Sequence, residues 1–269
     1  MPVEVLERPK SKAVEGSLLF LEESFAGRPV VEFSYGSGEG RTNAVYSPRR
    51  VSIGDARTIR PSLDVEGFDL VRHRTRVEDF YDEKQASLGD AEAAKLVADV
   101  TGAARVLVFD HTLRRRSPDS VRQPSTRVHN DYTVRSAPNR VRDLLGDDAE
   151  HFLSHRVAFI NVWRPIRQAA VDWPLAIADA RSVQREHLIP TDIVYPDRRG
   201  EIYGLIHKQE HRWWYYPDMQ LDEALLIKCY DSREGVAQFT PHTAFESPLT
   251  PANAPPRESI EFRTIAFFD

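Results

Sequence analysis

The sequence predicts a mainly β fold, a β-sandwich or jelly roll with helical decoration. The second half of the chain is a succession of short strand-like segments, and the first half contains more helical sequence. Eighteen prolines against 13 glycines in 269 residues indicate many stiff loops and turns around the strands. A chain of this length fits one domain, residues 1–269, with decorations.

The composition excludes several classes of protein. The formal net charge is −5 and the isoelectric point is near 6.0, so no overall basic field favours a nucleic-acid partner. One cysteine, Cys229, rules out an internal disulfide framework and a cysteine-based zinc site. No segment is apolar for long enough to span a bilayer, and residues 1–20 lack the pattern of a secretory signal. We therefore expect a cytoplasmic protein with no membrane partner.

Residues 1–100 are expected to form strands and a helix that support the core. The glycine-rich stretch at residues 36–40 has no strand-loop-helix context, so it is not expected to bind phosphate. Residues 77–100 predict a helix, in one piece or in two, with Gly89 as the weak point inside it. Gly102 is expected to end that helix.

Residues 104–268 are expected to form the core that carries the functional site. A helix is predicted at residues 139–155, with an interruption at Gly146. Two aromatic segments, residues 202–207 and 211–216, predict a β-hairpin. The other strand-like segments of the core are residues 104–111, 157–165, 174–179, 223–231, 237–245 and 259–268.

His129 and Asp131 are central to the functional interpretation. Two residues apart in a strand, they point to the same face and can bind one metal ion from one side. An imidazole and a carboxylate are two thirds of the 2-His-1-carboxylate triad, which leaves coordination positions open on a non-heme Fe(II). Taken alone, the tripeptide is more typical of a turn capped by Asn130 and Asp131.

A second histidine is needed to complete such a triad. Three histidines in the second half are candidates, and two of them, His207 and His211, lie in the predicted aromatic hairpin. The alternative role of His211 is that of a polar neighbour to the aromatic run. His242 lies late in the series of strands and is the histidine we prefer. The predicted metal ligands are therefore His129, Asp131 and His242, with no catalytic residue beyond them.

Arg257 and Ser259 predict a site for a carboxylate just before the last strand. Arginine offers two parallel N–H donors to a carboxylate, and a serine two residues on can donate a third hydrogen bond from the same face. The alternatives are a loop arginine after two prolines and a hydroxyl that begins a strand. Arg263, in the last strand, is a rival anchor for the same group.

The order of these residues resembles that of the 2-oxoglutarate/Fe(II)-dependent dioxygenases. The likeness is closest to the branch with fungal gibberellin desaturase, the aspergillic-acid-type hydroxylase/desaturases and the cephalosporin 7α-hydroxylation protein. The stretches that carry it cover more than half of the chain, at residues 106–111, 128–133, 161–166, 174–176, 211–217, 228–232, 242–245 and 256–263.

The resemblance implies a double-stranded β-helix core, the jelly-roll architecture shared with cupins. It implies Fe(II) held by His129, Asp131 and His242, with 2-oxoglutarate as cosubstrate and O₂ as oxidant. It also implies that Arg257 and Ser259 bind 2-oxoglutarate, with Arg164 as a further anchor for it or for the substrate. The pocket residues that the resemblance and the aromatic pattern suggest are Tyr132, Asn161, Trp163, His211 and Trp213. Core packing explains Trp163 equally well.

The expected reaction is hydroxylation, desaturation or ring closure of a small organic molecule in secondary metabolism. Arg164 and the arginines of the 114–127 loop predict an anionic substrate, although a solvated surface is the preferred explanation for residues 114–116. Two alternatives are a cupin-type metal-binding protein and a non-catalytic partner component. The pair Arg257 and Ser259 favours the oxygenase, because neither alternative needs an anchor for a cosubstrate.

Overall fold

Fifteen strands and three α-helices form the part of the chain that the computed structural model describes, residues 13–33, 41–120 and 122–269. The glycine-rich stretch at residues 36–40 lies outside that part. The strands are β1 (Val14–Leu21), β2 (Val30–Phe33), β3 (Arg41–Thr42), β4 (Tyr46–Asp55), β5 (Phe68–Arg72), β6 (Arg105–Arg115), β7 (His129–Asn130), β8 (Val157–Pro165), β9 (Leu175–Ala178), β10 (Leu188–Val194), β11 (Arg199–Leu205), β12 (Trp213–Tyr215), β13 (Glu223–Asp231), β14 (His242–Ala244) and β15 (Glu258–Phe267). The helices are α1 (Ala86–Thr101), α2 (Ser136–Leu145) and α3 (Ala149–Leu153).

The strands form two sheets that enclose the main core. The ten-stranded sheet has the order β1-β4-β12-β9-β14-β7-β11-β10-β2-β3, and the five-stranded sheet has the order β5-β13-β8-β15-β6. The largest hydrophobic cluster draws on both, with Phe159 and Ile227 from the smaller sheet and Ile177 and Leu205 from the larger one. The mainly β fold predicted from the sequence is confirmed.

The five-stranded sheet has two buried faces, which strand β8 illustrates. Every residue of β8 is buried. Phe159 and Trp163 belong to the main core, whereas Ile160 and Val162 belong to a second cluster that includes Leu96 of α1. Because side chains alternate along a strand, odd-numbered residues of β8 point inward and even-numbered ones point outward, toward α1. These are called the inner and the outer face below.

Helix α1 begins later than its sequence pattern predicts. It starts at Ala86 rather than near residue 77. The segment just before it forms a 3₁₀ turn, in which the Asp82 side chain accepts a hydrogen bond from the Lys84 N–H. Gly89 lies inside α1, and a Cβ there would come within 3.0 Å of the Phe262 ring. Its small size therefore allows the helix to approach β15 closely. Gly102, at φ +72°, ends the helix as predicted.

The second helical region is interrupted where the sequence predicts it. Helix α2 ends before Gly146, which has a φ of +55°, and α3 begins three residues later. By contrast, the predicted aromatic hairpin is wrong. Strand β11 pairs with β10 and β7, whereas β12 pairs with β4 and β9. The alternating pattern identifies both strands, but their partners come from distant parts of the chain. Within the described residues, no helix has the length and apolar character that a membrane crossing requires.

Candidate metal centre and adjoining cavity

Three potential ligands meet where β7 and β14 lie side by side. His129 of β7 is paired directly with His242 of β14, and their ring centroids are 4.8 Å apart. Strand β7 ends at Asn130, so the following residue, Asp131, is free to turn toward the two imidazoles. One ligand atom from each of the three residues lies within 4.8 Å of the others, which is compatible with a shared metal ion. Asp131 and His242 are buried and His129 is nearly so.

Backbone carbonyls orient both imidazoles. His129 donates a hydrogen bond from Nδ1 to the Arg127 carbonyl at 2.8 Å, and His242 donates one from Nδ1 to the Thr240 carbonyl at 3.0 Å. Each bond places the ring proton on Nδ1 and leaves the Nε2 lone pair available to a metal. The Nε2 atom of His129 lies 3.4 Å from Oδ1 of Asp131. The Nε2 atom of each ring is therefore the nitrogen available to a metal.

The carboxylate of Asp131 is held on both oxygens. Asn161, on the inner face of β8, donates to Oδ2 at 2.6 Å, and Arg263 lies 3.9 Å from Oδ1. Burial opposes ionisation of Asp131, but the positive charge of Arg263 and the neighbouring His129 outweigh it and hold its pKa well below the ordinary value. The group is therefore an anion at neutral pH. Asn161 was predicted only to line the pocket, and its contact with the carboxylate is a more specific one.

Asn130, between the two motif residues, ties the strand to its neighbours. Its amide donates to the Tyr132 and Cys229 carbonyls at 2.7 and 2.8 Å, and its oxygen accepts a hydrogen bond from the Thr240 N–H at 2.9 Å. Asn130 thereby links β7 to β13 across the two sheets. These bonds fix the backbone on either side of His129 and Asp131.

Arg257 and Ser259 lie on the inner face beside Trp163. Both are buried, and Nε of Arg257 and Oγ of Ser259 have no hydrogen-bond partner among the described residues. Arg257 donates from Nη1 to the Trp173 carbonyl at 2.5 Å, and its Cζ lies 5.5 Å from the centre of the Trp163 ring. No carboxylate of the described residues lies within ion-pairing distance of this guanidinium. Burial and the nearby Arg114 lower the pKa of Arg257 to about 9, so an added anion would be strongly favoured here.

The rival anchor, Arg263, already has partners. Its Nε lies 3.3 Å from Glu261, and its Nη2 faces Asp131. Burial works against its charge, but those two carboxylates raise the pKa of Arg263 well above the ordinary value. A cosubstrate carboxylate would find a better partner in Arg257, whose guanidinium has no carboxylate of the described residues within 4.0 Å.

Arg164 does not face the site, contrary to the prediction. It is an outer-face residue of β8, and its Cζ lies 5.8 Å from the centre of the Phe80 ring. Its Nη atoms donate to the His73 and Leu221 carbonyls at 3.1 and 2.6 Å and to Nδ1 of His73 at 3.2 Å. The prediction failed because it grouped Arg164 with Asn161 and Trp163 beside the pocket. Side chains alternate along a strand, so Arg164 points to the opposite face.

Two predicted pocket residues from the aromatic segment also lie elsewhere. Ile177 is paired with both His242 and Trp214, so Trp214, and not Trp213, shares the face of the metal ligand. Trp213 packs edge to face on Phe20 instead. His211 is buried beside His187, and the two ring nitrogens are 3.0 Å apart. The desolvation of His211 and the neighbouring His187 lower its pKa to about 4.

The 114–127 loop lies beside a different cavity from the one that reaches the metal centre. Arg114, Arg115 and Arg122 line a separate cavity near Tyr81. Arg116 forms an ion pair with Asp172 at 3.0 Å, and Arg127 forms one with Glu32 at 2.7 Å. Arg114, however, is paired with Ser259 and lies close enough to Asp131 to be influenced by its charge, so a contact of Arg114 with an acidic ligand stays a prediction.

A cavity of about 300 Å³ reaches the candidate metal centre from the surface. Asp131 and Tyr132 lie at its buried end, and α2 and the β10–β11 hairpin form its walls. These walls also contain residues that the sequence analysis did not select, among them Arg140, Arg199 and Ile202. Only Arg140 could have been selected from the sequence, because it follows the His129–Asp131 motif on an amphipathic helix.

Comparison with known proteins identifies the family. Residues 18–267 match the family described as the oxidoreductase/YMDC permease-like domain. The Fe(II)/2-oxoglutarate-dependent dioxygenase nvfI of Aspergillus novofumigatus is 31% identical over 271 residues, which cover 94% of this chain and 96% of that protein. The hydroxylase/desaturase efuI of Hormonema carpetanum is 30% identical and is matched over 86% of this chain and 87% of its own length.

Solved structures agree with these relatives. The iron and alpha-ketoglutarate-dependent endoperoxidase NvfI superimposes with a TM-score of 0.86 at 30% identity, over 96% of this chain and 98% of that structure. The predicted double-stranded β-helix core is thereby confirmed, and so are the predicted iron, 2-oxoglutarate and O₂. The chain belongs to the Fe(II)/2-oxoglutarate-dependent dioxygenases, in the branch that includes the hydroxylase/desaturases.

Proposed function

We propose that His129, Asp131 and His242 hold Fe(II), and that Arg257 and Ser259 hold the distal carboxylate of 2-oxoglutarate. The observation that carries this assignment is the convergence of the three ligand atoms within 4.8 Å. A second observation supports the cosubstrate site, because Nε of Arg257 and Oγ of Ser259 are buried donors without partners. A carboxylate would satisfy both and neutralise the guanidinium.

The protein residues prepare this site for its cofactors. The two imidazoles and the carboxylate would hold the ion, and three protein ligands would leave it open to 2-oxoglutarate and O₂. When bound, the iron supplies the oxidation of a substrate C–H bond, coupled to conversion of 2-oxoglutarate to succinate and CO₂. Asn161 and Arg263 restrain the Asp131 carboxylate, and Trp163 covers Arg257 from solvent. No further acid or base is assigned.

The product is an alcohol, an alkene or a closed ring, formed from a small organic molecule of secondary metabolism. Relatives are named hydroxylase/desaturase and endoperoxidase, and the same kind of site serves each outcome. We assign this chain a small, anionic substrate and a cytoplasmic location, with residues 1–269 acting as one domain. Residues 1–100 supply supporting strands and α1, and residues 104–268 supply the iron and cosubstrate ligands.

An anaerobic titration tests the assignment. Fe(II) followed by 2-oxoglutarate is added to the metal-free protein, and a weak visible charge-transfer band is recorded. The wild-type protein and the control variant His211→Ala are expected to give the band, and His129→Ala is expected to give none. The absence of a band in the wild type, or a band that survives His129→Ala, would contradict the proposed ligand set.

A further inference from the structure

The cavity beside Asp131 has an apolar inner part and a basic outer part. Phe109, Tyr132 and Ile202 contribute rings and an aliphatic side chain to its lining. Tyr132 is 8% exposed, so this end is deep. Arg199 is exposed and Arg140 is half-buried, so the guanidinium groups lie toward solvent. A ligand that fills the cavity would therefore need an apolar body and a polar end.

The arginines that line the cavity differ in whether they have a counter-charge. Arg135 is paired with Glu201 and also lies 3.2 Å from Asp192. Arg263 is paired with Asp131 and Glu261. Among the described residues, no carboxylate lies within 4.0 Å of Arg140 or Arg199.

Arg140 is also held in place by an aromatic ring. Its Cζ lies 5.2 Å from the centre of the Phe109 ring, and Phe109 packs edge to face on Tyr132. A guanidinium stacked on a ring keeps its N–H edge free for an anion. The chain Arg140–Phe109–Tyr132 thus connects the basic outer part to the residue next to Asp131.

The remaining charges of the cavity leave a positive balance once a metal is bound. Four carboxylates line it, Asp110, Asp131, Asp143 and Glu201, against five arginines, Arg135, Arg140, Arg198, Arg199 and Arg263. Asp131 is a metal ligand in the proposed site, and Glu201 is occupied by Arg135. Asp110 and Asp143 are both exposed, where water screens their charge.

We propose that this cavity binds the organic substrate as an amphipathic acid. Its acidic group contacts Arg140 and Arg199, its apolar body packs on Phe109 and Ile202, and the carbon to be oxidised lies at the Asp131 end. This inference rests on the proposed iron site, because that site defines the oxidising end of the cavity. A volume of about 300 Å³ is near the lower limit of small-molecule pockets and fits a compact substrate.

A matched pair of fluorescent probes tests the acid-binding claim on the metal-free protein. 1-Anilinonaphthalene-8-sulfonate is anionic, and N-phenyl-1-naphthylamine is the same ring system without the sulfonate. In the double variant Arg140→Gln/Arg199→Gln, the sulfonate loses both proposed guanidinium partners. The Kd of the anionic probe is therefore expected to rise at least ~10-fold, which corresponds to about 1.4 kcal/mol. The Kd of the neutral probe is expected to stay within about twofold.

Two further variants make the test specific. Arg28→Gln removes an exposed arginine away from the cavity and is expected to leave both affinities unchanged. Ile202→Trp fills the cavity and is expected to weaken both probes. If the double variant weakens neither probe, or both equally, the acid-binding proposal is wrong. The probes need no iron, so this result does not depend on the charge-transfer titration. If that titration failed while the probes bound as expected, the iron site would be wrong and the acid-binding cavity would still stand.

Discussion

Two buried cations of the five-stranded sheet, Lys228 on the outer face and Arg257 on the inner face, have different partners, and Arg164 on the outer face resembles Arg257 in having carbonyl partners. On the outer face, Lys228 is 1% exposed and its Nζ lies 2.5 Å from Asp64 and 2.8 Å from Asp231. On the inner face, Arg257 is 2% exposed and has a carbonyl partner but no carboxylate. The same sheet therefore contains a buried cation with carboxylate partners and one without them among the described residues.

We assign Lys228 a structural role and Arg257 a binding role. A buried charge is costly unless it is paired, so the ion pairs of Lys228 are part of the fold. At Arg257 the nearby Asp172 and Glu261 offset part of this cost, and an anion from outside the chain would offset more of it. The unpartnered hydroxyl of Ser259 lies on the same face as Arg257 and points to the same conclusion. The following substitutions test this contrast, in order of expected effect.

The largest effect is expected from Lys228→Met, on stability alone. Removal of the ammonium breaks the ion pairs of Lys228 with Asp64 and with the buried Asp231, which keeps Arg156 at 2.7 Å and the Arg233 N–H. We expect the free energy of unfolding to fall by about 3 kcal/mol. Urea denaturation followed by circular dichroism measures this. The Kd of 2-oxoglutarate for the folded variant should be unchanged, and a weakened Kd would remove the contrast between Lys228 and Arg257.

Arg257→Gln should act on the cosubstrate. Loss of a charge-assisted hydrogen bond costs roughly 1.5–3 kcal/mol, so we expect the Kd of 2-oxoglutarate to rise about 10- to 150-fold. Calorimetric titration in the presence of Mn(II) measures this Kd without turnover. The matched control is Arg164→Gln, on the outer face, for which we expect no change beyond about twofold. A larger effect from Arg164→Gln would reinstate Arg164 as the anchor.

Asn161→Ala should act on the metal. Its amide fixes one oxygen of Asp131, and loss of such a supporting hydrogen bond typically lowers metal affinity about 10- to 100-fold. Competition with a metal-binding dye under anaerobic conditions measures Fe(II) affinity. Ile160→Val changes the neighbouring outer-face residue and serves as the control. Equal Fe(II) affinities in the two variants would show that Asn161 does not position the carboxylate.

Ser259→Ala should give the smallest effect. A hydroxyl donates a single hydrogen bond to the carboxylate and brings no charge of its own, so we expect a loss of about 1.5 kcal/mol, the low end for a bond to a charged group, and a rise in the Kd of 2-oxoglutarate of about 10-fold. The same calorimetric titration measures it. An effect as large as that of Arg257→Gln would mean that the hydroxyl, and not the guanidinium, is the main anchor.

The sequence predicted residues whose chemistry is specific and whose order is unusual. His129, Asp131 and His242 were selected by residue type and spacing, and the structure brings them together. Arg257 and Ser259 share a face because they lie two residues apart. These predictions needed only local geometry and the order of the motifs along the chain.

Errors arose where the prediction depended on phase or on long-range pairing. Arg164 was one residue out of phase with the inner face of β8. Trp213 was assigned to the face that Trp214 occupies, because the register of β12 against β9 is set by hydrogen bonds between segments distant in sequence. The cavity arginines Arg140 and Arg199 were missed for a related reason. They come together through the packing of α2 beside β11, which no local pattern reveals.

The most direct test is a crystal structure of the protein with Mn(II) and 2-oxoglutarate, grown without O₂. We predict Mn(II) bound to Nε2 of His129, Nε2 of His242 and the carboxylate of Asp131. The distal carboxylate of 2-oxoglutarate should accept hydrogen bonds from the Arg257 guanidinium and from Ser259 Oγ. Metal bound elsewhere, or a distal carboxylate bound to Arg263 or Arg164, would contradict the account.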